Sequence, residues 1–209
     1  LDGSTSGKIA EGNVGGGTGM IAHGFKGGTG TSSRRLDARA GGFTVGVLVQ
    51  ANYGGRQNFS VAGVPVGKEI PDLTPERGKP GEGSGSIIVV AATDAPLLPH
   101  QLKRIASRIS LGIGIVGGRG ENSSGDIFIA FSTANPHASQ DSGLVALSML
   151  PNDRINALFN ATVQATQEAI VNAMVAAEDM VGRDGNKVYA IPHDRLKAAL
   201  KKYNRLVGN

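Results

Sequence analysis

Apolar residues fall along this chain in short runs separated by glycine-rich polar stretches, with strand-like runs first and helix-like periodicity later. Residues 42–51 are the clearest strand of the first half, with valines and a leucine in near-continuous register. Asn52-Tyr53-Gly54-Gly55 ends that run as a turn signal. Residues 21–25 and 29–36 predict two shorter strands about Gly27 and Gly28, and residues 59–66 predict a partner strand. Residues 67–85 carry Pro71, Pro75 and Pro80 among glycines and charges and are expected to form a mobile loop. The pattern then changes abruptly. Residues 87–92 are all small or β-branched and apolar, and predict a buried central strand that Thr93-Asp94-Ala95-Pro96 stops. A helix follows, with Pro99 near its first turn and Leu102, Ile105, Ala106 and Ile109 at helical spacing. Residues 127–131 predict a second buried strand. The longest helix is expected from Pro151 to about Met180, burying Ile155, Leu158, Phe159, Val163, Ile170, Met174 and Ala177 on one face. A turn at 182–186, a short strand at 188–191 and a last helix from about Asp194 to Leu206 close the chain. Strands and helices mixed in this way predict an α/β layered fold with sheet packed on sheet.

Two polar clusters stand at the mouths of the two strongest strands. Ser86 is the last polar residue before the first, and Asn122-Ser-Ser-Gly-Asp126 leads into the second. A cut between Gly85 and Ser86 would leave a free α-amine beside the Ser86 hydroxyl. Such an amine titrates at roughly 7.7–8.0 and can act as a base without a histidine. The residues alone fit better a flexible Gly-Glu-Gly-Ser-Gly-Ser loop that enters an ordinary strand. Asn52 fits a turn, and Ser124 with Asp126 fits a loop or capping pair. The stretch from Glu11 to Met20 holds five glycines in ten residues, a loop that permits positive φ and close backbone approach. It lacks the Gly-Lys-Ser/Thr ending of a Walker A loop. Gly112, Gly114 and Gly117 do match GxGxxG but follow a helix, so the match is treated as chance.

Composition narrows the chemistry further. The 209 residues suffice for one large domain or two small ones. Thirty-two glycines with only 4 % aromatic residues favour tight turns and close backbone crossings. The net charge of +4 comes from scattered basic residues and from Lys197, Lys201, Lys202 and Arg205 in the last helix. That arrangement is a solvated face, and no nucleic-acid partner is expected. No apolar run is long enough to span a bilayer, so no membrane partner is expected either. The absence of cysteine excludes disulfides and thiolate nucleophiles without fixing a compartment; the cytoplasm is the simpler expectation, with the periplasm left open. His23, His100, His137 and His193 have no ligand spacing, so neither a metal nor a cofactor is expected, and no GxSxG elbow is present. The chain starts at Leu1 in coil-like sequence, and is expected to be a processed or truncated piece of a longer protein.

Four blocks in order, EGNVGGGTGM, VLVQANYG, GSIIVVAATDAPLLPHQL and SSGDIFIAFSTAN, resemble the D-aminopeptidases and β-peptidyl aminopeptidases of the DmpA type. They cover most of residues 11–135. The resemblance implies an αββα sandwich like that of N-terminal-nucleophile hydrolases, with different strand connectivity. It implies a precursor that cuts itself before its nucleophile into α and β chains, here residues 1–85 (the end of the α chain) and 86–209. The acidic group that holds the substrate amine, and an aromatic hydroxyl near the reacting centre, would lie in a part of the α chain outside this sequence. The implied activity is release of N-terminal residues, in some members D- or β-residues, from peptides, amides or esters. The implied assembly is a homo-oligomer, a tetramer of αβ units.

Carried over motif by motif, Ser86 matches the nucleophile and Gly85 the residue before the cut. Ser124 and Asp126 match the serine and acid of the hydrogen-bonded set, although some members carry Glu where Asp126 stands. Asn52 matches the amide that stabilises the oxyanion. The glycines Gly15, Gly16 and Gly17 are expected near the substrate. Two other readings stay open: a non-catalytic relative that binds a small ligand, and an acyltransferase of the ornithine acetyltransferase type. The latter class usually carries threonine as nucleophile, and Ser86 speaks against it.

Overall fold

His23 and Gly24 turn the first hairpin, joining β1 (Ile21–Ala22) to β2 (Phe25–Lys26) in a two-residue loop with both central φ values positive, 49° and 72°. This computed structural model describes residue 3 and residues 5–76, 85–141 and 143–207. The expected strand over 21–25 is therefore two short pieces. Next come β3 (Gly28–Arg35) and β4 (Thr44–Asn52), near the predicted bounds. The expected partner strand over 59–66 does not form. Val61 and Val64 close a tight turn on Ala62 and Gly63, both at positive φ, and α1 (Val66–Glu69) starts two residues later.

The described part of the expected loop 67–85 is also more ordered than its prolines suggest. Arg56 donates to five backbone carbonyls, those of His23, Gly24, Ile70, Asp72 and Leu73, at 2.6–3.1 Å. Its guanidinium lies 3.3 Å from the centre of the Phe25 ring. A single side chain thereby holds residues 70–73 against the first hairpin. Pro80 and the loop residues 81–84 lie outside the described residues.

Beyond that loop run β5 (Ser86–Thr93), α2 (Pro99–Val116), β6 (Ile127–Ser132), α3 (Asn156–Val175), β7 (Met180–Val181), β8 (Lys187–Val188) and α4 (His193–Lys202). The long third helix begins after a separate 3-10 turn, Asn152–Arg154, and the terminal strand and helix are shorter than predicted. The main sheet has the order β3-β4-β5-β6; β3, β4 and β5 pair antiparallel, and β6 runs parallel to β5 with α2 as the crossover.

Helices α2 and α3 cover one face of this sheet. Val45, Val47, Val49 and Ala51 of β4 and Ile87, Val89 and Ala91 of β5 are buried beneath them. Gly30 permits the closest approach: a Cβ there would fall 2.0 Å from the Ala169 carbonyl of α3. Gly112 seats α2 against Thr166 of α3, Gly117 caps α2 in the left-handed region, and Gly114 has open space around it. The opposite sheet face stays apolar and open. Ile88, Ile127, Ile129 and Phe131 are each 42–52 % exposed, so the described residues cover β5 and β6 on one side only, where their continuous apolar runs predict burial on both. The described residues thus supply one helical layer and one sheet of the expected αββα sandwich.

Candidate active site

The antiparallel register of β4 and β5 sets Asn52 directly opposite Ser86. Opposed residues project to the same sheet face with Cβ atoms about 5 Å apart, so the amide and the hydroxyl stand side by side. Both belong to the face away from the helices, at the end of the apolar patch just described. Ser86 is the first residue of its strand because the apolar run begins at Ile87; the polar cluster before β6 reaches the same level because β5 and β6 are parallel neighbours.

That juxtaposition brings the loop 122–126 onto Ser86. The Gly125 N–H donates to Ser86 Oγ at 2.9 Å. Ser124 Oγ donates to Asp126 Oδ1 at 2.6 Å, and the Ile87 N–H donates to the same oxygen at 3.1 Å. Asp126 is therefore tied both to its own loop and to the residue after Ser86. Across the ladder, the Ile21 N–H donates to Asn52 Oδ1 at 2.9 Å. With its oxygen engaged, the Asn52 amide leaves its NH₂ without a partner among the described residues. Gly85 packs on the preceding strand end: a Cβ there would lie 3.0 Å from the Asn52 carbonyl and from Tyr53 Cα.

A cleft of about 360 Å³ opens here, with Asn52, Gly85, Ser124 and Asp126 in its wall and Arg119 and Glu121 among its charged lining. Tyr53 backs it; burial and then the Asp126 charge push its phenol well above the usual range, so it stays neutral. His23, behind Tyr53, is held neutral by desolvation, its pKa lowered to about 4. Among the described residues no group of three His, Cys, Asp or Glu side chains is placed to hold a metal ion, and no helix is long and apolar enough to cross a membrane.

The glycine run lies apart from this cleft wall. Gly15 has φ +52° and open space around it, Gly16 packs on the Gln50 side chain, and Gly17 is pressed against the Gly12 carbonyl and Thr29. Pattern reasoning from side chains overlooks three backbone donors, the N–H groups of Ile21, Ile87 and Gly125, because a peptide group leaves no trace in residue type. Gly125, flanked by two polar side chains at the mouth of a strand, is the only one of the three with a local signal.

The sheet with its covering helices matches a solved structure described as a variant of the N-terminal-nucleophile hydrolase fold, and this places the molecule in that fold class. The chain belongs to peptidase family S58, whose model matches residues 1–188. It is 50 % identical to the β-peptidyl aminopeptidase BapA of Sphingosinicella microcystinivorans over 98 % of this chain and 55 % of that protein. Among solved structures it is similar to the L-aminopeptidase D-Ala-esterase/amidase of Ochrobactrum anthropi, with a TM-score of 0.87 and 51 % identity over 97 % of this chain and 55 % of that one. That protein is described as a prototype of the serine aminopeptidases and a new variant of the N-terminal-nucleophile hydrolase fold. A β-aminopeptidase from a Burkholderia species superposes with a TM-score of 0.83 and 51 % identity, over 95 % and 55 % of the two chains. The chain spans about half the length of the relatives it matches.

Proposed function

We propose that this chain is part of a self-processing serine aminopeptidase or amidase that works through an acyl-enzyme on Ser86. The observation that carries the reading is the surroundings of Ser86: the Gly125 N–H on its Oγ, the Ser124–Asp126 pair in the same loop with Asp126 tied to the Ile87 N–H, and Asn52 opposite it in the ladder. In the uncut chain the nitrogen of Ser86 is an amide and cannot serve as a base. Self-cleavage supplies the base. Ser86 Oγ bonds to the Gly85 carbonyl carbon, the C–N bond breaks, and the hydroxyl proton passes to the departing nitrogen. Water then hydrolyses the ester, leaving a Gly85 carboxylate and a free Ser86 α-amine. The products are residues 1–85, as the end of an α chain, and residues 86–209 as the β chain.

Turnover repeats the chemistry on a substrate carbonyl. The α-amine accepts the Ser86 proton, Ser124 holds that amine in position, and Asp126 keeps Ser124 oriented. The NH₂ of Asn52 donates to the developing oxyanion, a contribution of roughly 3–4 kcal/mol to the barrier for one such donor. The relatives' activities point to peptides, amides or esters with a free N-terminal residue, D- and β-residues among them, as substrates. Family kinship likewise supports a homo-oligomer of αβ units, a tetramer.

The test is hydrolysis of amino-acyl p-nitroanilides by the full-length protein and its Ser86→Ala variant. Turnover that survives chelators and thiol reagents in the wild type and vanishes in Ser86→Ala is expected. Activity lost to EDTA and restored by zinc, or retained without the hydroxyl, would remove the proposal.

A further inference from the structure

Among the described residues the one buried lysine or arginine is Lys26, almost wholly excluded from solvent, with 1 % of its surface exposed. Among the described residues it has no ion-pair partner. An ammonium in that setting is costly unless every proton is satisfied. It is satisfied entirely by main chain: Lys26 Nζ donates to the carbonyls of Gly17 at 3.0 Å, Met20 at 2.8 Å and Gly27 at 2.8 Å. Three donors meet three acceptors, which leaves none spare for a ligand. A methionine would fill the same space without a buried charge, so packing alone does not explain the lysine.

What the lysine grips does explain it. The Met20 carbonyl is one end of a planar peptide group whose other end is the Ile21 N–H. That carbonyl accepts from Lys26 Nζ and from the Gly27 N–H at 2.9 Å, while the Ile21 N–H donates to Asn52 Oδ1. Rotation of this one peptide plane would break both sets of bonds together. The same loop is anchored at its far end, where Thr29 Oγ1 donates to the Val14 carbonyl and Glu11 Oε1 accepts from the N–H and hydroxyl of Thr31. The glycine run enters as the flexible material that lets three carbonyls converge on one ammonium.

We propose that Lys26 is a positioning residue for the Asn52 amide, acting through the Met20–Ile21 peptide group to aim the Asn52 NH₂ at the reacting carbonyl. The inference rests on the functional reading of Asn52 and Ser86 given above. A flipped Asn52 would set its NH₂ against the Ile21 N–H, donor against donor, so the fixed peptide plane selects a single amide orientation. Charge at the far end of the plane also polarises the Ile21 N–H and strengthens its hold on Asn52.

The experiment uses the full-length, self-cleaved enzyme with Lys26→Met, Asn52→Ala and the double variant, and the uncut full-length Ser86→Ala chain as control. Lys26→Met is expected to lower kcat about tenfold or more with KM within about threefold, and to add less than about twofold to the loss in Asn52→Ala. Hydrogen exchange at the Ile21 amide should quicken in Lys26→Met, a readout independent of turnover. Additive losses, a loss carried by KM, or an unchanged Ile21 amide would overturn the assignment. Should Lys26→Met not fold, Lys26→Gln retains two donors and is expected to fall between wild type and Asn52→Ala in kcat; if neither variant folds, Lys26 is a stability element and the assignment is wrong. Turnover in Ser86→Ala would instead sink the functional reading, leaving the exchange result to judge Lys26 by itself.

Discussion

His23 occupies a position that few side chains tolerate: fully buried, at φ 49°, stacked on Phe59 and edge-on to Tyr53. Its Nδ1 contacts the Gly55 carbonyl at 3.3 Å, which requires the proton on that nitrogen and leaves Nε2 without a partner among the described residues. Desolvation is the main reason its pKa is lowered to about 4, with the Arg56 charge acting in the same direction. The sign follows directly. Between pH 6.5 and 4 the unfolded chain binds a proton at this site and the folded chain does not, so stability is full above 6.5 and falls as the pH drops through that window. The loss amounts to roughly 3 kcal/mol. Acid-titrated chemical denaturation should show this slope, and His23→Asn, which tolerates the positive φ and does not titrate, should flatten it. An unchanged slope in His23→Asn would assign the acid sensitivity elsewhere.

At the scale of elements, the close contact of β3 with α3 sets the thickness of the helical layer. Gly30→Ala would drive a methyl carbon into the Ala169 carbonyl and the Ala173 side chain, both backed by buried core. Overpacking of this kind costs about 1–3 kcal/mol, so the midpoint of urea unfolding should fall while the site chemistry stays intact. A midpoint equal to wild type would mean that the layers separate more freely than this packing implies. Strand β3, Gly-Thr-Gly-Thr-Ser-Ser-Arg-Arg, has no dense apolar run and was marked in the sequence only by the glycines before it, whereas β4, β5 and β6 were legible because their dense apolar runs admit little else. Residues 59–66 were misleading for the same reason, since Val61, Val64 and Val66 are apolar enough for a strand, yet Ala62 and Gly63 take a turn. The side chains of the candidate site stood out at Ser86 and at Ser124 with Asp126 as polar residues at the mouths of apolar runs, but their proposed roles, like that of Asn52, came from the family resemblance. The peptide donors and Lys26 were not, because their partners are main-chain groups distant in sequence.

Considered as a whole, the molecule has to survive the proposed cut between Gly85 and Ser86. Side-chain links between the residues before the cut and the last helix region include Glu69 with Lys202 and Tyr203, Asp72 with Arg195, and Glu76 with Tyr189. They lie at the surface, where such pairs contribute little each, about 0–1 kcal/mol. The β4–β5 ladder, eight register pairs ending at Asn52 and Ser86, and the valine core beneath it are the stronger bond between the pieces. The two products should therefore stay together under native conditions and part only in denaturant. The measurement that tests the central claim most directly is the intact mass of full-length protein under denaturing conditions, wild type beside Ser86→Ala. Two polypeptides, the second beginning at Ser86, are expected from the wild type and a single uncut chain from the variant. A wild type that stays whole after prolonged incubation, a new terminus at Ser84, or cleavage that persists in Ser86→Ala would contradict it.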